Sequence, residues 1–143
     1  MNMNYYQTFI IVSSDCLATE GIVPPVRKGG ATKPRIEYEL LTNNPYTYTQ
    51  EGLLFEVHLR HKLIPEEDRV TQGHQIRTEF FKKSHPCLRA SMLAKKYGWG
   101  FHFNENGKVA IYGIESHMYQ KLLKNDGGEM KLVAAMRNRR AGT

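Results

Sequence analysis

Tyr97-Gly98-Trp99-Gly100-Phe101-His102-Phe103-Asn104-Glu105-Asn106-Gly107-Lys108-Val109-Ala110-Ile111-Tyr112-Gly113 reads as a β-hairpin from its chemistry alone. Trp99, Phe101 and Phe103 alternate with Gly100, His102 and Asn104 on one arm, and Val109, Ile111 and Gly113 alternate with Lys108, Ala110 and Tyr112 on the other. Period-two alternation around an Asn-Gly pair is a strong short-range hairpin signal. The loop length follows from the pattern. A two-residue turn at Asn106-Gly107 would set His102 against Ile111 and mix polar with apolar on both faces. A three-residue loop, 105–107, sets Asn104 against Lys108 and puts Trp99, Phe101 and Phe103 on one face with Val109, Ile111 and Gly113. A slip of one residue inverts every side chain, so the consistent pattern selects the register. It also asks for left-handed backbone at Gly107, which glycine takes without steric cost.

Working outward from the hairpin, 116–125 reads as a helix capped by Ser116 with Tyr119, Leu122 and Leu123 inward. Gly127-Gly128 then separates it from a second helix over 129–140 whose inner face is Met130, Val133 and Met136. On the N-terminal side, 88–96 is read as a strand. Residues 66–83 read as a helix, with Pro65 at its start, acids in its first turn, Lys82 and Lys83 in its last, and Val70, Gly73, Ile76 and Phe80 as its inner stripe. Residues 53–60 fit period two, with Leu53, Phe55, Val57 and Leu59 on one face and Leu54, Glu56, His58 and Arg60 on the other, and are read as a strand. Residues 34–43 read as a helix with Ile36, Leu40 and Leu41 on one side and Pro45 beyond its end. The Gly- and Pro-rich stretch 13–34 is loop. Thr8-Phe9-Ile10-Ile11-Val12 reads as a strand buried on both faces.

The chain has 143 residues, 41% hydrophobic and 24% charged. That fits one globular domain, 1–143, able to fold without metal or disulfide. Two cysteines, Cys16 and Cys87, make neither a disulfide framework nor a CxxC motif, which fits a reduced cytoplasmic setting. No apolar run approaches the roughly 20 residues of a membrane span, and the N-terminus has no signal-peptide pattern. A net charge of +6 raises the expectation of an anionic partner.

Several segments together resemble a family of small bacterial single-domain proteins of unknown function. They are Thr8-Phe9-Ile10, Phe55-Glu56-Val57-His58, Arg60-His61-Lys62, Cys87-Leu88-Arg89-Ala90-Ser91, Tyr97-Gly98-Trp99-Gly100 with its hairpin, and Ala135-Met136-Arg137. The resemblance covers nearly the whole chain and implies a bacterial cytoplasmic domain. It carries over no catalytic residues and no cofactor.

Chemistry can be sought in four places. Glu56, His58 and Arg60 would share one face of the 53–60 strand; a carboxylate beside a His orients it, and the trio could serve acid–base work or hold an anion. The same pattern is also that of a solvated strand face held by cross-strand pairs. His58, His61, His85, Cys87 and His102 lack the paired ligand spacing of a zinc site, so no metal is expected, and Cys87 has no visible base to make it a nucleophile. Arg27-Lys28-Gly29-Gly30-Ala31-Thr32-Lys33 is basic and Gly-rich before a helix start, where amides can bind phosphate, yet it matches neither GxxxxGK[ST] nor GxGxxG. Arg137, Arg139 and Arg140, near Lys131, form a second basic cluster. The aromatics among cations allow base stacking, but the 97–103 stretch lacks the basic first residue of an RNP strand.

The expectation is therefore one α+β domain, with a mixed or antiparallel sheet and helices packed on one side. Its leading role is to bind an anionic ligand, such as a nucleotide, nucleic acid or phosphorylated metabolite, through Arg27, Lys28, Lys33, Arg60, His102, Arg137, Arg139 and Arg140. The alternatives are a small hydrolase or isomerase using His58 with Glu56 and Arg60, and a protein-binding module that dimerises by a sheet edge. No cofactor and no membrane partner are expected.

Overall fold

A computed structural model describes residues 3–139. Four strands form one mixed sheet in the order β3-β2-β1-β4. β1 (Thr8–Ile11) lies inside it, antiparallel to β2 (Trp99–Phe103) and parallel to β4 (Lys131–Ala134). β3 (Val109–Gly113) pairs antiparallel with β2. The chain is α+β, as its pattern predicts.

The hairpin has the predicted register. Trp99 faces Gly113, Phe101 faces Ile111 and Phe103 faces Val109. Asn104 closes the loop. Its N–H donates to the Lys108 carbonyl, and its side-chain oxygen accepts from the N–H groups of Asn106 and Lys108. Gly107 has φ of +77°, the left-handed backbone that the three-residue loop requires. Phe101 and Phe103 are fully buried, whereas Trp99 is only half-buried. The indole lies over Gly21 and donates to the Ile22 carbonyl, so it covers the rim of the core.

One face of the sheet carries the main core. Ile10, Phe101, Phe103, Val109 and Ile111 pack there against α1 (Lys33–Asn43), α2 (Gln50–His61) and the short α4 (Met92–Lys95). α3 (Glu66–Phe81) lies outside this layer and packs on α2, with Phe55 beside Phe80 and Phe81. On the other face, α5 (His117–Lys124) places Tyr119 against Phe9, and the Tyr119 hydroxyl accepts from the Val12 N–H. The helices expected on one side are thus joined by α5, which carries the chain from the β3 edge across to the β4 edge.

Three expected elements are corrected. Residues 53–60 are helix, within α2, and not strand. Leu53 and Val57 face the core, Leu54 packs beside it, and Phe55 meets α3. A helix with neighbours on several sides is apolar nearly all round, and that pattern also satisfies period two. Its start is marked by Thr49, whose hydroxyl accepts from the Gly52 N–H. Residues 88–96 are also not a strand. A 3-10 turn at Leu88–Ala90 leads to Ser91, which caps α4 by accepting from the Leu93 N–H. Finally, 129–139 is not helical. Gly127 and Gly128 take positive φ, the Asn125 side chain brackets the backbone of Met130, and the chain enters β4. The buried strand β1 needs partners on both edges, and β4 supplies one of them. Arg140 lies outside the described residues.

The helix over 66–83 is correct as an element but not in its inner face. α3 has no buried residue, and Val70 is 80% exposed. In α5, Ser116 caps as predicted by accepting from the Tyr119 N–H, and Leu123 turns outward.

Candidate functional site

A cavity of about 810 Å³ opens between α1, α2, α3 and the segment 85–92. It falls within the roughly 300–1,000 Å³ typical of small-molecule sites. Leu54, Val57, Ile76, Phe80 and Leu88 give it apolar walls. Its polar lining leans to basic groups, with Lys33, Lys62 and Lys83 and the imidazoles of His58, His61 and His85 set against only Glu37 and Glu79.

Helical geometry explains the convergence. His58, His61 and Lys62 are three and four residues apart on α2, so they share one side. Lys33 and Glu37 stand one turn apart on α1. His58 and His85 flank Phe80, with ring centroids at 4.6 Å and 3.8 Å. The His85 Nε2–H donates to the Phe80 carbonyl, which directs the ring. Burial, and then the charges of Lys62, His85, Lys33 and His61, hold the His58 pKa below its ordinary value.

Glu37 is the unusual group. It sits on the core side of α1 with Ile36, Leu40 and Leu41, and only 8% of its surface is exposed. One carboxyl oxygen accepts from the Ser91 hydroxyl at 2.7 Å. Burial pushes its pKa up to about 7, against the opposing pull of the Ser91 hydrogen bond and the Lys33 charge. A carboxyl whose pKa is raised this far by burial is suited to exchange a proton inside the cavity.

The residues singled out in the sequence do not come together. Glu56 and Arg60 form an exposed i,i+4 ion pair at 3.0 Å, with Arg69 at 3.8 Å from Glu56. His58 lies about 200° around the helix from Glu56 and faces the cavity instead. Arg60 lines a separate pocket of about 520 Å³ with Arg69 and Glu39. Arg27 and Lys28 sit on an exposed turn closed by an Arg27–Gly30 bridge. Arg137 and Arg139 lie in the exposed segment after β4, where the Arg139 N–H donates to Asp15. Of the eight expected ligand-binding residues, Lys33 lines the large cavity, and so does the catalytic candidate His58.

His102 belongs to a different cluster, on the sheet face that carries α5. The Tyr46 hydroxyl lies 2.7 Å from His102 Nδ1 and 2.8 Å from the Tyr112 hydroxyl. Burial lowers the His102 pKa; burial, followed by Tyr112, raises that of Tyr46. Both shifts favour neutral groups, and the chain closes with donation running in either direction along Tyr112, Tyr46 and His102. Tyr46 reaches this face from a backbone at φ of +54°, fixed by its N–H bond to the Val109 carbonyl.

Sequence reasoning missed Glu37, Ser91, His61, Lys62, Phe80 and Lys83 as site residues. The available signal was a charged residue, Glu37, on the apolar side of a predicted helix. Among the described residues, no group of three or more His, Cys, Asp or Glu forms a metal-ligand set, and no helix is long and apolar enough to cross a membrane.

No curated protein and no solved structure matches the chain. A family model matches residues 1–141, and the chain therefore belongs to that family, a family of unknown function (DUF6157).

Proposed function

We propose that this domain binds a small organic anion, of the nucleotide or phosphorylated-metabolite class, in the cavity between α1, α2 and α3. The observation that carries the reading is the lining: apolar walls ringed by three lysines and three histidines, against two carboxyls, of which one, Glu37, is buried. The apolar walls suit a carbon framework, and the cations suit its charge. A nucleic-acid reading draws on Arg27, Lys28, Arg137 and Arg139, none of which lines this cavity. An acid–base reading at the same site runs through His58 and Glu37 rather than Glu56 and Arg60, because only the former pair lines the cavity.

The test uses a matched pair of fluorescent probes, 8-anilino-1-naphthalenesulfonate and its uncharged parent N-phenyl-1-naphthylamine. The sulfonate is expected to bind at least tenfold more tightly at low salt. Lys33→Gln and Lys62→Gln should each weaken it severalfold and leave the neutral probe unchanged. Displacement of the sulfonate by a nucleoside monophosphate or a sugar phosphate then narrows the ligand class. Equal affinity for the two probes, or insensitivity to both lysine changes, would refute the anion site.

A further inference from the structure

We infer that the cavity takes up a proton together with its anion, and that the Glu37 carboxyl receives it. The inference rests on the anion site proposed above and concerns how that site is regulated. Glu37 lines the cavity from α1 while its chain is almost wholly out of water. Its single hydrogen-bond donor among the described residues is Ser91, whose oxygen is already occupied by the Leu93 N–H of α4. Ser91 therefore has one proton to give and gives it to one carboxyl oxygen. The other oxygen makes no hydrogen bond to a described residue. That oxygen borders the cavity's solvent, since no buried side-chain oxygen among the described residues lacks a partner. On a residue only 8% exposed the ionised carboxylate is still poorly hydrated, and an anion arriving in the same cavity repels it. Protonation removes that repulsion, leaves the Ser91 bond intact, and supplies an O–H to a ligand oxygen. Anion and proton therefore bind with positive linkage, each raising the affinity for the other.

Other groups that face Glu37 across the cavity must be separated from it. Lys33 on α1, Lys62 on α2 and Lys83 on α3 supply positive charge. Glu79 on α3 is exposed to water, so its charge is screened. Cys87 lines the same wall and its hydrogen bond comes from Tyr5. His58 and His61 on α2 and His85 beyond α3 could also take up protons. His58 is held below its ordinary pKa, so it is already neutral above pH 7.

The experiment follows 8-anilino-1-naphthalenesulfonate binding from pH 6 to 9, because the sulfonate stays ionised throughout. The dissociation constant should rise above pH 7, approaching tenfold per pH unit for one linked proton. Glu37→Gln keeps the Ser91 hydrogen bond and should make affinity nearly independent of pH between 7 and 9. His58→Gln, His61→Gln and His85→Gln should each retain the slope. Calorimetry on the unaltered protein, in two amine buffers of different ionisation enthalpy, reads proton uptake directly and needs no variant; close to one proton per probe is expected at pH 8. Tight binding with no proton uptake, or a slope that survives Glu37→Gln or vanishes in a histidine variant, overturns the inference and leaves the anion site standing. Absence of binding at every pH overturns both.

Discussion

Two polar clusters lie on opposite sides of the sheet, and they differ in how their hydrogen bonds are spent. Tyr46, His102 and Tyr112 form a chain in which the Tyr46 hydroxyl is bonded on both sides, to the His102 Nδ1 and to the Tyr112 hydroxyl. Glu37 has one donor among the described residues, Ser91, and its remaining capacity borders an 810 Å³ cavity lined by three lysines. Internal satisfaction is the mark of a structural network, and capacity left open toward a cavity is the mark of a site. Sequence reasoning counted His102 among eight anion-binding candidates and overlooked Glu37. The location of the unspent hydrogen bond separates the two clusters better than residue type does.

The largest effect tests the scaffold that holds the clusters apart. Phe101 is fully buried on the cavity side of the sheet, opposite Ile111 and beside Ile10. Phe101→Ala should cost about 3–5 kcal/mol in denaturant unfolding. A loss under about 1 kcal/mol would mean that the site stands on a core other than the one described.

Glu37 comes next, and its signature is a dependence on pH. Its folded pKa is about 7 and its ordinary value 4.5. Below pH 4.5 the group is protonated in both the folded and unfolded states. Between these values the folded protein holds a proton that the unfolded chain has released, so stability falls as pH rises. The loss should total up to roughly 3 kcal/mol by pH 7 and change little above it. Glu37→Gln should remove that fall and be the more stable protein at pH 8. Chemical denaturation of both proteins at pH 5 and pH 8 decides it: if the variant is less stable than the parent at pH 8, the carboxylate is well solvated and the contrast between the clusters fails.

What could be read from the sequence divides along the same physical lines. The hairpin was legible because both arms alternate and an Asn-Gly pair sits between them, so one register satisfied every position. α1 and α5 were legible because each has a single apolar side and a clear end signal. α2 was not, because the core and α3 between them cover its apolar residues, and Leu53, Phe55, Val57 and Leu59 then fit period two as well. β4 was not, because its pairing with β1 spans more than 120 residues and Met130, Val133 and Met136 also suit a helix. The site suffered from the α2 error. On a strand Glu56, His58 and Arg60 align; on a helix His58 aligns with His61 and Lys62. Glu37 was visible as a lone acid on an apolar helix side, a signal that local pattern can register but cannot place within a cavity.

The ring cluster should respond more weakly. Tyr46→Phe deletes the hydroxyl that both His102 and Tyr112 use. Water can reach these half-buried groups in part, so the cost should be about 1 kcal/mol. Unlike Glu37→Gln, the change should be flat between pH 7 and 9, where His102 is already neutral. Affinity for the naphthalenesulfonate should not move. A tenfold loss of affinity would show that the two faces are coupled and that the cluster is part of the site.

The smallest effect concerns Glu56 and Arg60. They are an exposed i,i+4 pair whose Arg side chain is 49% exposed, so solvent and salt screen the attraction. A double-mutant cycle with Glu56→Gln and Arg60→Gln should give a coupling of about 0.3–0.5 kcal/mol, shrinking as salt is added. Arg69, 3.8 Å from the same carboxylate, can take over part of the pairing and lower the figure further. Because Arg60 lines the smaller pocket, Arg60→Gln should leave naphthalenesulfonate affinity unchanged, whereas Lys33→Gln weakens it. A coupling above about 2 kcal/mol would be out of range for an exposed pair. If Arg60→Gln also cost tenfold in probe affinity, the ligand would have to reach around α2, and Glu56, His58 and Arg60 would again be candidates for one site.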